Sequence, residues 1–310
     1  MKFYNSVYRE STMYAVRKTI FTPFFRPFAF RVVYKIFYNF FYRQFIAAFF
    51  PGKIPVSKVD HPLDEKIPFK PTWIKIYIDF TQFWIRVISF YIRRYGRKEY
   101  KTVGNFIESV GELYVFAAQV YTKNLSTTKR PFYISNPRFL LIHLADPHLM
   151  CVPSLHIMLA VHTYLQFKAI ARKNGEEEKL KPQIKEMKQG ALAISQAVLF
   201  VKQHSVNCIP AALYAMTCFT PDLFPPEEAE SFTNQLFSAP PIFPPGKNGI
   251  HKKIPNCYSV HPAASPKTKI PDEDQALIKS HIISLYNRFM QERDELRPWY
   301  EPLVKFLKEF

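Results

Sequence analysis

Apolar positions recur at helical spacing along most of the chain, and the breaks between them fall at Pro, Gly and clusters of charge. Residues 27–50 are dense in Phe, Tyr, Val and Ile, carry Arg31, Lys35 and Arg43, and predict an aromatic, basic helix that Pro51 and Gly52 stop. The polar stretch from there to Pro71 reads as a linker. Further helices are predicted over 73–92, 105–122, 153–170, 190–203 and 206–219. In the first of these Lys75, Asp79 and Arg86 share one stripe and the other face is apolar; in the last, Pro210 is tolerable because it sits in the first turn, where its missing N–H has no intrahelical partner to lose. Residues 221–271, rich in Pro and Ser, predict irregular structure on the surface. After them Leu277, Ile278, Ile282, Leu285, Tyr286 and Phe289 recur at helical spacing and predict an amphipathic helix from Asp272 to Arg297. The fold class that follows is all-α: a helical bundle of about six helices with an added C-terminal helix and no internal repeat. It divides into aromatic, basic N-terminal helices (1–104), a helical core (105–219), and a Pro-rich segment with the C-terminal helix (220–310).

Composition narrows the partners. The 310 residues hold 42 Lys and Arg against 25 Asp and Glu, a net charge of +17, so nucleic acid, an anionic membrane surface and phosphorylated substrates all fit by charge. No nucleic-acid-binding motif accompanies the charge, which removes the first. The four cysteines Cys151, Cys208, Cys218 and Cys257 have neither metal-ligand spacing nor a neighbouring His pattern, so no metal, no cofactor and no disulfide framework is expected. Residues 1–19 lack the apolar core of a cleaved signal peptide, so insertion into a membrane is expected to use the body of the chain.

Three short segments carry the candidate chemistry: Lys123 with Arg130-Pro131 seven residues on, Pro153-Ser154-Leu155-His156 at the start of the helix over 153–170, and Lys202-Gln203-His204 at the end of the helix over 190–203. Each alone is a weak signal, a solvated basic stretch, an N-cap serine or a core histidine. Antiparallel packing, however, brings the end of one helix, the start of the next and the end of the third to one end of a bundle. Residues of these types suit a phosphoryl group, whose spread negative charge a metal-free site meets with fixed cations and donors: Lys123, the bidentate fork of Arg130, the Ser154 hydroxyl and the free amides of a helix N-terminus. His162, His143 and His148 are read as core histidines.

In order and spacing the three segments resemble the signature motifs of the type 2 phosphatidate phosphatase and vanadium haloperoxidase superfamily, in particular its lipid phosphatase and phosphotransferase branch with P-S-x-H and K-Q-H; the resemblance covers residues 105–219. It implies that family's bundle and phosphoester hydrolysis or phosphoryl transfer on a membrane lipid phosphate. In that scheme His204 is the nucleophile that forms a phosphohistidine and His156 the general acid, with Lys123, Arg130, Ser154 and Lys202 binding phosphate. Two positions depart from the family. Cys208 stands where an Asp usually accepts the second ring proton of the nucleophile, and a thiol is a poor substitute, leaving Asn207 as the neighbouring acceptor. Val198 stands where many members have Arg, and Lys202, four residues on, is expected to replace its charge from the same helical face. The alternative is a membrane-associated protein that binds lipid or phosphate without turnover.

No segment is a charge-free apolar run of eighteen residues. If the bundle nevertheless spans a bilayer, the cations of 93–101 and 168–188 place those loops in the cytoplasm and the pocket on the extracytoplasmic side. The competing arrangement is a bundle lying on one leaflet.

Overall fold

A computed structural model describes residues 6–133, 135–238 and 269–310. The chain is an all-α bundle with, among the described residues, one minimal pair of strands. In chain order it runs through α1 (Thr12–Phe21), α2 (Arg26–Ile36), a π-helical turn (Phe37–Tyr42), α3 (Arg43–Phe49), β1 (Val56–Lys58), α4 (Ile74–Tyr77), α5 (Phe80–Tyr95), α6 (Tyr100–Tyr121) and β2 (Leu125–Thr127). It continues through α7 (Pro137–Ala145), α8 (Leu155–Lys173), α9 (Lys181–Phe200), α10 (Cys208–Phe219), α11 (Pro226–Gln235), α12 (Asp272–Glu295) and α13 (Glu301–Leu307). Among the described residues there are thus more helical segments than the six expected. The helix over 73–92 divides at Asp79, which becomes the N-cap of α5. The helix over 190–203 begins nine residues earlier, since a charged first turn hides its start, and ends at Phe200. Pro137 opens the unpredicted α7, capped by the Asn136 side chain, and Pro226 opens α11 inside the stretch expected to be irregular; residues 239–268 of that stretch, with Cys257, lie outside the described residues.

The core is the layer formed by α5, α6, α8, α9 and α10, with α8 packed along α9 and flanked by α5, α6 and α10. Buried charge ties its periphery down. Asp79 and Arg86, expected on a surface stripe, form a buried bidentate pair at 2.7 and 2.8 Å. Each charge satisfies the other, so removal of either alone would leave an uncompensated ion. Glu186 of α9, also buried, accepts from the Ser6 hydroxyl and from Val7 N at 3.0 Å and anchors the start of the described chain. At the other end α12 buries Ile278, Ile282, Leu285, Tyr286 and Phe289 as expected, while Leu277 stays exposed. Trp299, beyond α12, stacks on Phe116 at 3.8 Å and donates to Gln119 Oε1 at 2.8 Å, docking the C-terminal helices on α6.

The largest departure from expectation is the supposed linker. Residues 55–70 clasp the chemical end of the bundle. Leu125 N donates to Pro55 O (2.8 Å), Val59 N to Thr127 O (3.0 Å), and β1 and β2 pair in parallel between them. Lys129 N donates to Asp60 Oδ1 (2.8 Å), and Lys70 N to Phe200 O (2.8 Å). Asp64 is the knot: Oδ1 accepts from Val206 N at 2.7 Å, Oδ2 from His61 N at 2.8 Å, and its carbonyl receives the Lys202 ammonium. Hydrogen bonds to a charged group are among the stronger ones, about 1.5–3 kcal/mol each. Asp64→Ala, which removes two of them from a largely buried site, is expected to lower the unfolding free energy by about 3 kcal/mol in urea titrations. A loss below about 0.5 kcal/mol, the range of an ordinary surface substitution, would show that the clasp is incidental.

Candidate functional site

The three segments singled out in the sequence meet at this clasped end, each delivered by a local device. The first leaves α6, whose last residue, Tyr121, donates its hydroxyl to Pro153 O at 2.5 Å and so binds the first segment to the second. Ser126, fully buried in β2, reinforces the link: Ser126 N donates to Leu149 O (3.0 Å), Cys151 N to Ser126 O (3.2 Å) and Val152 N to Ser126 Oγ (2.8 Å). The second segment places Ser154 as the extended N-cap of α8, but its hydroxyl makes no capping bond. The third closes α9. Lys202 takes a left-handed conformation (φ 53°), and Gln203 N and His204 N both return to Val198 O, at 3.0 and 3.1 Å, as at many helix C-termini. That reversal turns Lys202 outward to Asp64 and His204 inward. Lys202 is therefore not on a helical face beside Val198, as expected, but beyond the end of the helix.

At the centre, His204 Nε2 lies 3.4 Å from Ser154 Oγ, and the His156 ring stands 5.5 Å from the His204 ring, centre to centre. Tyr77 stacks on His156 at 4.3 Å and Phe80 meets it at 4.2 Å, so its position is set by packing. Arg130 donates to Gln203 Oε1 (3.3 Å) and to Asp146 O (3.1 Å), which joins the first segment to the third. Lys123 does not join them: it is exposed, its N–H donates to Val120 O at 2.9 Å, and its side chain makes no hydrogen bond or ion pair among the described residues. Asn207 gives its amide to Val59 O (3.2 Å), and its oxygen faces His281 Nε2 at 2.8 Å, so the acceptor considered for His204 is engaged elsewhere. Cys208 opens α10 as a buried thiol whose pKa burial raises. His204 Nδ1 is left with no hydrogen-bond partner among the described residues.

Several participants were not singled out in the sequence. His148, read as a core residue, stands 6.4 Å ring to ring from His204, with Nε2 2.9 Å from Thr128 Oγ1 and its N–H on Asp146 Oδ1 at 2.8 Å. Gln44 of α3 reaches in beside Asp146 and accepts from Leu149 N at 3.1 Å. Gln203, the middle residue of the third segment, accepts from Arg130 and positions it. The available signal was Asp146-Pro147-His148, two polar residues close before Ser154 in an otherwise apolar stretch. By contrast His162 is the core histidine expected, 2.8 Å from Ser109 Oγ.

Together Gln44, Asp146, His148, His156 and His204 enclose a cavity of about 10 Å³, the space of roughly one water. Burial is the leading influence on every imidazole here. It lowers His204 to about 4, against a smaller opposing effect of the Cys151 backbone. It lowers His148 to about 3, with Arg130 and His204 adding to the shift, and it takes His156 well below the usual histidine range, with His204 and His148 adding. At neutral pH the site holds three neutral imidazoles and the carboxyl of Asp146, whose pKa burial raises while the nearby Arg130 guanidinium opposes that shift. Searches against protein-family models, curated proteins and solved structures return no match.

These shifts set a pH dependence. The folded pKa of His204 lies below the unfolded value of about 6.5, so on acidification the unfolded chain takes up the proton first. The stability His204 contributes is complete above about 6.5 and is lost progressively as pH falls through about 4; for His148 the loss continues to about 3. Ring resonances of His204 are expected to show no titration above pH ~5 by NMR, and the urea midpoint to fall more between pH 7 and 4.5 in the native chain than in His204→Asn. An imidazole at His204 titrating near 6.5 would mean that bulk water reaches it.

Proposed function

We propose that this chain hydrolyses or transfers the phosphoryl group of a membrane lipid phosphate, in a bundle of the type 2 phosphatidate phosphatase kind, through a phosphohistidine at His204. The observation that carries the reading is the meeting of three sequence-distant segments at one point: His204 Nε2 beside Ser154 Oγ, His156 across from it, and Arg130 held by Gln203 of the third segment. No helix among the described residues is long and apolar enough to cross a membrane, and the lipid substrate rests on the resemblance and on the aromatic, basic surface.

In this mechanism the equatorial phosphate oxygens are met by Arg130, the Ser154 hydroxyl and the amides opening α8. Nε2 of neutral His204 attacks phosphorus as the bond to the leaving alkoxide breaks, and His156 gives that oxygen a proton. A water or a second hydroxyl then attacks the phosphohistidine and yields its proton to His156, which restores both rings. Neutral resting imidazoles serve the nucleophile directly. For His156 the charge of the arriving phosphate raises its pKa, so that the ring takes a proton from a monoanionic phosphate or from water and holds it for the leaving oxygen. A cavity of about 10 Å³ is smaller than a phosphate, so entry requires Arg130 or the 146–149 turn to shift. Lys123 and Lys202 act on the substrate through their charge.

A second reading, binding of a lipid phosphate without turnover, is favoured by two features: His204 Nδ1 has no acceptor to fix its tautomer, and Cys208 occupies the place of one. A phosphatase assay with a chromogenic ester and a short-chain phosphatidate, paired with calorimetry of vanadate binding, separates the readings. The expected result is turnover that falls to background in His204→Asn, by roughly 10²- to 10⁴-fold in His156→Asn, and rises in Cys208→Asp. Vanadate binding without turnover in any form selects the second reading, and neither binding nor turnover overturns both.

A further inference from the structure

We infer that the chain docks on one leaflet of an anionic bilayer through the outer face of α1 to α3, lying on the membrane without crossing it. Such docking is independent of phosphoryl transfer and follows from a helical face with no partner among the described residues. A surface helix ordinarily turns its apolar stripe to the core and its charges to water. Over α2, the π-helical turn and α3 the inner face follows that rule, with Val32 buried and Phe28, Ile36 and Phe40 packed on the core, but the outer face is apolar as well. The cations beside α6 are neutralised: Arg31, exposed, pairs with Glu108 at 2.7 Å, and the partly buried Lys35 with Glu108 and Glu112 of α6, the latter at 2.5 Å. Two glycines of α6 permit the close approach: a Cβ at Gly104 would stand 3.0 Å from the Phe28 ring, and one at Gly111 would stand 2.9 Å from Lys35 Cδ. The outward stripe is then apolar, with Phe30 74 %, Val33 65 %, Phe37 59 % and Phe49 73 % exposed, and Phe21 at the end of α1 73 %. An exposed apolar surface of this extent marks a place where water is to be displaced.

Charge identifies what displaces it. Between Glu10 and Asp60 there are eight Lys and Arg residues and no Asp or Glu. With Arg31 and Lys35 neutralised by α6, Arg17, Arg43 and Lys53 remain beside the aromatic stripe and form no ion pair among the described residues. Arg43 and Lys53 lie over the rings of Tyr38 and Phe50, at 5.1 and 5.2 Å. Aromatic and aliphatic side chains with interspersed cations and no acid suit the headgroup boundary of an anionic leaflet, where rings enter the acyl region and cations meet phosphates. A second copy of the same acid-free face would bring like charges together.

The docked face leads to the histidines. A pocket of about 410 Å³ opens between α3 and the strands, lined by Ile46, Phe50, Ile54, Leu125 and Met150. Met150 also lines the histidine cavity, and Gln44 joins α3 to the turn that bounds it. Docking on this face therefore sets the mouth of the pocket against the lipid.

The test uses the full chain with vesicles of phosphatidylcholine, alone or mixed with phosphatidylserine, neither of which is a phosphate monoester, so binding is read independently of turnover. The chain is expected to co-sediment with the mixed vesicles and weakly with phosphatidylcholine alone. Replacement of three exposed rings, Phe30→Ser with Phe37→Ser and Phe49→Ser, is expected to weaken binding more than tenfold with the far-ultraviolet spectrum unchanged. Should that variant unfold, Phe37→Trp provides the second reading: its fluorescence is expected to be quenched by lipids brominated near the headgroup and spared by those brominated at chain ends. Absence of binding to mixed vesicles, a folded triple variant that binds like the parent, or a dimer that the triple variant disperses while vesicles go unbound would each overturn the inference.

Discussion

The structure depends on one stretch of backbone hydrogen bonding, the clasp of residues 55–70 across the ends of α6 and α9. Helix packing alone brings three helix ends to one side of a bundle but does not fix the loops that leave them. β1 pairs with β2 and holds the segment that carries Arg130, and Asp64 holds the turn that carries His204. Ser126 of β2 in turn secures residues 149–152, which deliver Ser154 and His156 to the start of α8. Without the clasp, Val206 N and Leu125 N would be buried donors lacking partners, a cost that folding of the bundle would have to absorb.

Why part of this was legible in the sequence and part was not follows from the kind of force involved. Helices announce themselves by repeating burial, and the buried positions of α12 and most of α8 and α10 follow that pattern. The clasp has no period: it is three residues of strand, a proline-rich turn and an aspartate whose partners lie up to 142 positions away. The same limit hid the roles of Asp146 and His148, which act through backbone bonds and a ring contact across the cavity. Periodicity also reports that a helix has two faces without saying which is inside. Nor does it say that Glu108 and Glu112 of α6 meet Arg31 and Lys35 of the aromatic, basic helix.

The site shares one electrostatic design with its surroundings. Burial keeps His148, His156 and His204 neutral, and the nearby fixed cation, Arg130, is held by neutral acceptors, Gln203 Oε1 and Asp146 O. The Asp146 carboxyl lies within the field of that guanidinium, so an incoming anion meets Arg130 together with this neighbour. Over α1 to α3 charge is likewise divided: Arg31 and Lys35 are neutralised by α6, while Arg17, Arg43 and Lys53 form no ion pair among the described residues. Among the described residues no side chain accepts from His204 Nδ1, and the chemistry turns on whether that ring is fixed well enough to attack phosphorus.

The most direct measurement is to trap the intermediate itself. Brief exposure of the full chain to a ³²P-labelled lysophosphatidate, an alkaline quench and peptide mapping are predicted to give a base-stable, acid-labile label on the peptide that contains His204, absent from His204→Asn and accumulating in His156→Asn if that ring also serves the second step. Label on another residue, or turnover with no label on any histidine, would contradict the assignment of His204 as the nucleophile.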